Sequence, residues 1–149
     1  MAGIYLNNNV GIKLATSAAP TTPSIDISSL VSAVTLTQSF EELDVTSMGS
    51  SSRQFVKGLE TAQLQIDFFN NWDAASVMAT LSAAYGQTIS VSMITVKGTA
   101  VSATNPTYQF SILVNNLTPV GNGGVGDEAA SSLTFTVNST VTVSPSVVF

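Results

Sequence analysis

The chain has 149 residues and a formal net charge of −5, and only 9% of its residues are charged. It contains no cysteine and no histidine, which excludes disulfides, zinc–thiolate sites, thiol nucleophiles and imidazole general bases. Its four basic residues argue against tight phosphate binding by counterion release, so a structural protein is indicated, with no catalytic residue, metal or cofactor.

The first 24 residues predict an extended N-terminal arm. They combine three consecutive asparagines with a stretch of Ser, Thr, Ala and Pro that ends at Pro23. Such residues keep a chain extended and offer little to bury. We expect the arm to become ordered against a neighbouring subunit, and we place a single domain over residues 25–149.

From Ile25 onward the hydrophobic pattern acquires a period of two. Apolar residues alternate with Thr35, Thr37 and Ser39, which indicates a half-buried strand. After Glu42, residues 43–45 can continue this strand past a bulge or kink. A long polar loop follows, over about residues 46–57, with Met48 exposed in its middle. Residues 62–68 then form a cleanly alternating strand.

One helix is predicted over about residues 71–85. Asn71 or Asp73 serves as its N-cap, and Gly86 stands where a helix commonly ends. The aromatic residues near it favour packing of the helix on the sheet, with a carbohydrate-binding platform as the alternative. This aromatic group consists of Phe68, Phe69, Trp72 and Tyr85.

The remaining chain again favours strands, at residues 88–96, 108–117, 133–137 and 141–143. The uncharged run over residues 74–96 is long enough to cross a bilayer, but its Gly, Gln, Ser and Thr residues argue against a membrane span. We therefore predict a mainly β protein, a β-sandwich or barrel-like domain with one packed α-helix.

Two motifs are compatible with ligand chemistry. Gly121, Gly123 and Gly126 match the spacing of a dinucleotide-binding loop, but a β pattern follows instead of the helix that such a site needs. The acidic clusters at residues 41–44 and 127–128 have neither a known metal-binding spacing nor a favourable strand geometry for paired carboxylates. Solvated surface charge is the favoured interpretation of both clusters.

The layout resembles that of the tail tube (major tail) proteins of long, non-contractile-tailed bacteriophages. The resemblance covers residues 35–143. It rests on the segment VTLTQSFEELDVTSMG at residues 34–49, the return RQFVKGLE at residues 53–60, the strand and helix that follow, and a late Gly/Asp loop before the strand LTFTV.

This resemblance implies a virion protein, assembled in the host cytoplasm, whose copies close into hexameric rings. The rings would stack into a tube with a negatively charged lumen that conducts DNA during ejection without binding it specifically. Implied partners are other copies of the chain, the tape measure protein and the tail terminator or initiator proteins, with no membrane.

The same reasoning assigns candidate site residues. The proposed subunit or ring interface comprises Met48, Arg53, Phe55 and Lys57. The candidate acidic residues of the lumen or interface are Glu41, Glu42, Asp44, Glu60 and Asp67. Alternatives are an adhesin or carbohydrate-binding β-sandwich, a capsid decoration protein, and a glycoside-acting enzyme that uses the carboxylates at residues 41–44.

Overall fold

The structure is a computed structural model, and it describes residues 9–120 and 124–149. These residues form eight strands and one α-helix in the order β1-β2-β3-β4-α1-β5-β6-β7-β8. The strands are β1 (Gly11–Ala15), β2 (Pro23–Asp26), β3 (Val31–Asp44), β4 (Phe55–Phe69), β5 (Thr88–Ile94), β6 (Thr107–Leu113), β7 (Ala130–Val137) and β8 (Thr142–Ser144). The helix α1 spans Val77–Ala83. The expectation of a mainly β protein with one helix is confirmed.

All strand pairs in this part of the chain are antiparallel and belong to one open sheet. The sheet has the order β2-β1-β5-β6-β7-β4-β3, and β8 pairs with β6 outside this path. The sheet bends around a common core, because β3 at one end of the sheet and the central strands β5 and β6 line one cavity of about 250 Å³. Leu36 of β3 faces Met93 of β5 and Tyr108 of β6 there. This architecture is sandwich-like, as expected.

The core lies on one face of the sheet, where period-two alternation places the apolar side chains. Along β4, Leu64, Ile66 and Phe68 are fully buried, while the residues between them face away. α1 covers this core with its own buried side chains, Val77, Met78 and Leu81. Burying each of these large side chains stabilises the fold by about 1.5–3 kcal/mol.

The structure differs from the predicted arm at β1. Ile12 and Leu14 are buried in the core, and β1 pairs with both β2 and β5. The alternation of Ile12 and Leu14 around Lys13 is a strand pattern that the neighbouring Asn and Pro residues obscure. Residues 1–8 lie outside the described residues, so the start of the predicted arm is not described.

The helix is shorter than predicted. Ser76, rather than Asn71 or Asp73, is its N-cap, and the Ser76 Oγ accepts a hydrogen bond from the Ala79 N–H. Ala75 precedes the cap with φ of +64°, a left-handed conformation that no helix can include. Asn71 and Asp73 instead belong to a turn, in which the Asp73 N–H donates to Asn71 Oδ1.

Two further predictions can be compared with the structure. The uncharged run at residues 74–96 is divided between α1 and β5, and no helix of the described residues is long and apolar enough to cross a membrane. In the glycine-rich motif, Gly121 and Gly123 lie outside the described residues. Gly126 has a positive φ, and the strand β7 follows it, so the expected absence of a helix there is confirmed.

Candidate assembly surface

Strands β3 and β4 form a hairpin that extends beyond the rest of the sheet. β4 pairs with β7 only over residues 63–69, whereas it pairs with β3 along its whole length. We call residues 39–61 the projecting hairpin. Its strands extend about 20 Å beyond β7, at about 3.3 Å per residue. Because a two-stranded ribbon buries little surface, this segment gains little stability from the body of the fold.

The projecting hairpin carries a concentration of exposed apolar side chains. Seven of the 15 exposed large hydrophobic residues in the described part of the chain lie in it. They are Phe40, Leu43, Val45, Met48, Phe55, Val56 and Leu59. Met48, at the turn, is fully exposed, as the sequence predicts, and Leu59 is 79% exposed. Exposed apolar side chains concentrated in one segment indicate an interaction site.

A bulge in β3 sets the direction of the hairpin. The register shifts between Phe40 and Glu42, which confirms that the strand continues past an irregularity. Gly58 lies opposite this bulge, and a Cβ atom there would lie 2.9 Å from both the Cβ and the carbonyl oxygen of Glu41. A side chain at position 58 would therefore force the two strands apart.

The two basic residues of the hairpin already have acidic partners within it. Arg53 Nη1 lies 2.9 Å from Asp44 Oδ2, and Lys57 Nζ lies 3.6 Å from Glu60 Oε2. Hydrogen bonds from Thr46, and beyond them the one from Arg53, lower the pKa of Asp44 below its ordinary value. These exposed pairs add little stability.

The other two cations are also paired. Lys97 Nζ lies 2.7 Å from Asp26 Oδ2. Lys13 Nζ donates to the Phe149 carbonyl oxygen at 3.0 Å and lies 4.5 Å from the centroid of the Phe149 ring. All four basic side chains therefore have an intramolecular partner.

The predicted interface residues lie together in the hairpin, but the predicted loop is shorter than expected. Phe55 and Lys57 belong to β4, so the connection between the strands runs over residues 45–54. Met48 and Arg53 remain in that connection. Because Phe55, Val56 and Lys57 pair with residues 42–44 of β3, the two strands continue pairing where the sequence predicts the end of the loop.

The candidate acidic residues do not form one cluster. Glu41, Glu42, Asp44 and Glu60 belong to the hairpin, whereas Asp67 lies in the middle of the sheet, between Ala33 of β3 and Ser132 of β7. Within residues 9–120 and 124–149, no group of acidic side chains is arranged to hold a metal ion. The geometry thus favours surface charge over a carboxylate site.

The aromatic group near α1 divides in two. Phe68 is fully buried in the core, as core packing requires, but Phe69, Trp72 and Tyr85 are 41%, 57% and 60% exposed. The prediction that these three pack between helix and sheet is wrong. The helix begins after Trp72 and ends before Tyr85, so the helical spacing that suggested a buried face does not apply to them.

The apolar residues of the hairpin other than Met48 and Phe55 were not predicted as site residues. Phe40, Leu43 and Leu59 lie in strands whose alternation resembles that of a half-buried sheet. These strands have 14 and 15 residues, beyond the usual 3–10, but that length is a property of the folded chain and not of its sequence pattern.

Solved structures of similar fold give the comparison. A chain from the virion of a native gene transfer agent (GTA) particle matches with a TM-score of 0.71 and 14% sequence identity, over 95% of this chain and 99% of that chain. A chain from the tail of an empty GTA particle, computed with helical refinement and C6 symmetry, matches with a TM-score of 0.67 and 16% identity over the same shares. No protein-family model and no curated protein matches the chain. At these identities the likeness establishes architecture: along almost its whole length, the chain has the same fold as these two particle subunits.

Proposed function

We propose that the chain is the structural subunit of a phage tail tube, without enzymatic activity. In this proposal six copies close into a ring, rings stack into a hollow tube, and the lumen conducts DNA during ejection. The observation that carries the proposal is the projecting hairpin with its seven exposed apolar side chains. The likeness to a chain from a GTA tail with C6 symmetry supports the sixfold arrangement.

The hairpin suits a protein whose stable form is an assembly. In a monomer, a long edge strand with unpaired N–H and C=O groups is an aggregation hazard. β3 is such an edge, since its 14 residues pair with β4 alone. Association with neighbouring copies would cover this edge together with the apolar side chains of the hairpin, and a closed ring leaves no copy with an unfilled contact.

The charge distribution suits a conduit for DNA. The net charge of −5 repels a polyanion, and each of the four basic side chains has an intramolecular partner. Because nonspecific DNA affinity arises mainly from cations that displace condensed counterions, a tube built from this subunit would let DNA pass without retaining it. A lumen of net negative charge belongs to this proposal.

The proposed location and partners follow from this role. The subunit would be made in the host cytoplasm and become part of the virion tail. Its main partner would be other copies of itself, with the tape measure protein inside the tube and the terminator and initiator proteins at its ends. The proposal requires no cofactor and no membrane contact.

We assign ring contacts to the hairpin residues Met48, Arg53, Phe55 and Lys57. Arg53 and Lys57 pair with carboxylates of the same hairpin, but their side chains are 76% and 61% exposed, so each can also meet a charge on a neighbouring copy. Complementary charges of this kind determine register more than affinity. Arg53→Glu places a second negative charge beside Asp44, and Lys57→Glu places one beside Glu60. Both substitutions should block stacking while the fold remains intact.

The experiment is negative-stain electron microscopy of the purified chain, concentrated and dilute, with light-scattering mass measured in parallel. Rings or hollow tubes from the wild-type chain, and their loss in the Arg53→Glu and Lys57→Glu variants, are the expected result. Normal tubes from both variants would refute the assignment of the hairpin to ring contacts. Particles that bind capsid shells and never form tubes would instead indicate a decoration protein.

The exposed aromatic side chains favour a second candidate function, a carbohydrate-binding β-sandwich. Phe69, Trp72 and Tyr85 present apolar ring surface near α1, and aromatic rings with a polar group are common in binding surfaces. A carbohydrate-binding module would show a sugar-dependent rise of Tm and no assembly. A tail tube subunit would assemble and show no such rise.

A further inference from the structure

The outer face of the sheet formed by β3, β4 and β7 has an unusual composition. Alternation directs 11 side chains of these strands away from the core, in three rows whose register is given by the strand pairs. The rows are Ala33, Thr35, Thr37 and Ser39 in β3, then Thr61, Gln63, Gln65 and Asp67 in β4, and Ser132, Thr134 and Thr136 in β7. We call this set the hydroxyl–amide face.

The hydroxyl–amide face is polar and almost free of charge. Nine of its 11 members are Ser, Thr or Gln, and Asp67 is its one ionisable residue. All of them are exposed except Asp67, which is half-buried. None is among the exposed large hydrophobic residues, which begin only beyond its ends, with Leu59 on one side and Phe69 on the other.

This composition differs from that of an interface and from that of a typical solvated surface. A protein interface core is enriched in aromatic residues, Met and Arg, and the hydroxyl–amide face has none of them. An ordinary protein surface contains many Lys, Arg, Asp and Glu side chains, and this face has one acid. Side chains also bond across it, since Gln65 Nε2 donates to Ser132 Oγ at 3.3 Å.

We propose that the hydroxyl–amide face lines the lumen of the tube and is the surface that passing double-stranded DNA meets. The proposal rests on the proposed function and specifies its DNA-facing surface. That surface is a hydrated layer of hydroxyl and amide groups, with one carboxylate, Asp67, from each subunit. It offers phosphate groups no cation, and it offers bases no apolar or aromatic side chain on which to stack.

The dimensions agree with a channel. Six copies that contribute three strands each supply about 18 strands, and closed barrels of 16–18 strands enclose a water-filled channel. With strands about 4.8 Å apart and tilted by about 40°, such a barrel has a backbone diameter of about 36 Å. Side chains that extend about 5 Å inward leave an opening of about 26 Å.

The proposal also divides the acidic residues by role. Asp67 is the candidate acid on the lumen face, so the lumen is only weakly negative. Glu41, Glu42 and Asp44 belong to the hairpin with the proposed interface, and Glu60 accepts a hydrogen bond from Gln38, a residue outside the hydroxyl–amide face. The negative charge of the subunit therefore acts on DNA mainly from a distance.

The test uses the absence of cysteine in the native chain. Single substitutions Gln65→Cys and Thr134→Cys place a thiol on the hydroxyl–amide face, and Ala83→Cys places one on the exposed side of α1, across the core. DNA-free tubes and unassembled subunits of each variant are treated with N-ethylmaleimide or with a maleimide on a polyethylene glycol chain too bulky for the lumen. Electron microscopy first establishes that tubes form, because failure of the wild-type chain to assemble contradicts the proposed function itself.

In tubes, Gln65→Cys and Thr134→Cys should react with N-ethylmaleimide at close to the rate of the free subunit. They should react with the bulky reagent at least about tenfold more slowly, a change equivalent to about 1.4 kcal/mol. Protection of both thiols from both reagents would place the face in a subunit interface, and full reaction with both would place it on the tube exterior. Either of these outcomes overturns the proposal while leaving tube formation established. Ala83→Cys is the control. It measures how far assembly lowers the reactivity of a thiol that lies on α1, on the other side of the core from the hydroxyl–amide face.

Discussion

The substitution Leu59→Ser separates assembly from folding. Leu59 is 79% exposed in the single subunit, so replacing it should change the free energy of unfolding by no more than about 0.5 kcal/mol. If a neighbouring copy covers the hairpin, the exposed part of this side chain becomes buried, which is worth about 1–2 kcal/mol at the usual 1.5–3 kcal/mol for a whole leucine. A loss of that size corresponds to about a 5- to 30-fold rise in the critical concentration for assembly.

The assay is sedimentation of tubes over a dilution series, with the pelleted material checked by electron microscopy and Tm measured on unassembled subunits. Val148→Ser is the matched control, because Val148 is 82% exposed and lies outside the hairpin. We expect Val148→Ser to leave the critical concentration unchanged and both variants to keep the wild-type Tm.

Two results would refute this reasoning. A wild-type critical concentration for Leu59→Ser would mean that the hairpin is not buried on assembly. An equal shift for Val148→Ser would mean that general surface hydrophobicity, rather than the hairpin, drives association.

Three further predictions concern the subunit alone. Asn105 is 5% exposed, and its side-chain amide forms hydrogen bonds with both the N–H and the C=O of Val96. Asn105→Ala should therefore lower the free energy of unfolding by about 1–3 kcal/mol and lower Tm in calorimetry. An unchanged Tm would show that water replaces the amide. Ala75→Gly should raise Tm by a few degrees, because exposed Ala75 holds φ at +64° and glycine adopts this conformation freely. A lower Tm would show that the backbone of Ala75 is not strained. Burial raises the pKa of Asp26, but hydrogen bonds from Lys97 and Ser28 outweigh burial and lower it below 3.8. The stabilisation is therefore present above the unfolded-state pKa and is lost as pH falls through the folded-state pKa, so the Tm difference between wild type and Asp26→Asn should shrink below about pH 4; a constant difference from pH 6 to pH 2 would exclude this linkage.

The sequence predicts the strands well wherever alternation is regular. Residues 62–68 and 133–137 are strands, because one of their faces is buried by other parts of the fold. β1 escapes prediction because five residues between Asn-rich and Pro-containing segments provide too short a pattern. Its burial depends on pairing with β5, which is about 80 residues away in the chain.

The start of the helix and the exposure of the hairpin residues cannot be predicted from local sequence patterns. The positive φ of Ala75 has no signature in an alanine, a residue that usually favours helices. The hairpin residues alternate like those of a half-buried strand, yet β7 ends before reaching them. Exposure of Phe40 and Leu59 follows from where a third strand stops, and only the folded chain determines that.

The glycine opposite the β3 bulge has a consequence for the geometry of any assembly. Gly58 and Glu41 lie about halfway along the strands of the projecting hairpin, so about 10 Å of strand extends beyond them, and a rotation of about 10° at this point moves the strand ends by about 2 Å. That distance is more than half the spacing of adjacent residues along a strand. A substitution at Gly58 or Glu41 would therefore change how neighbouring copies are spaced in an assembly. The side chains that contact those copies would stay the same.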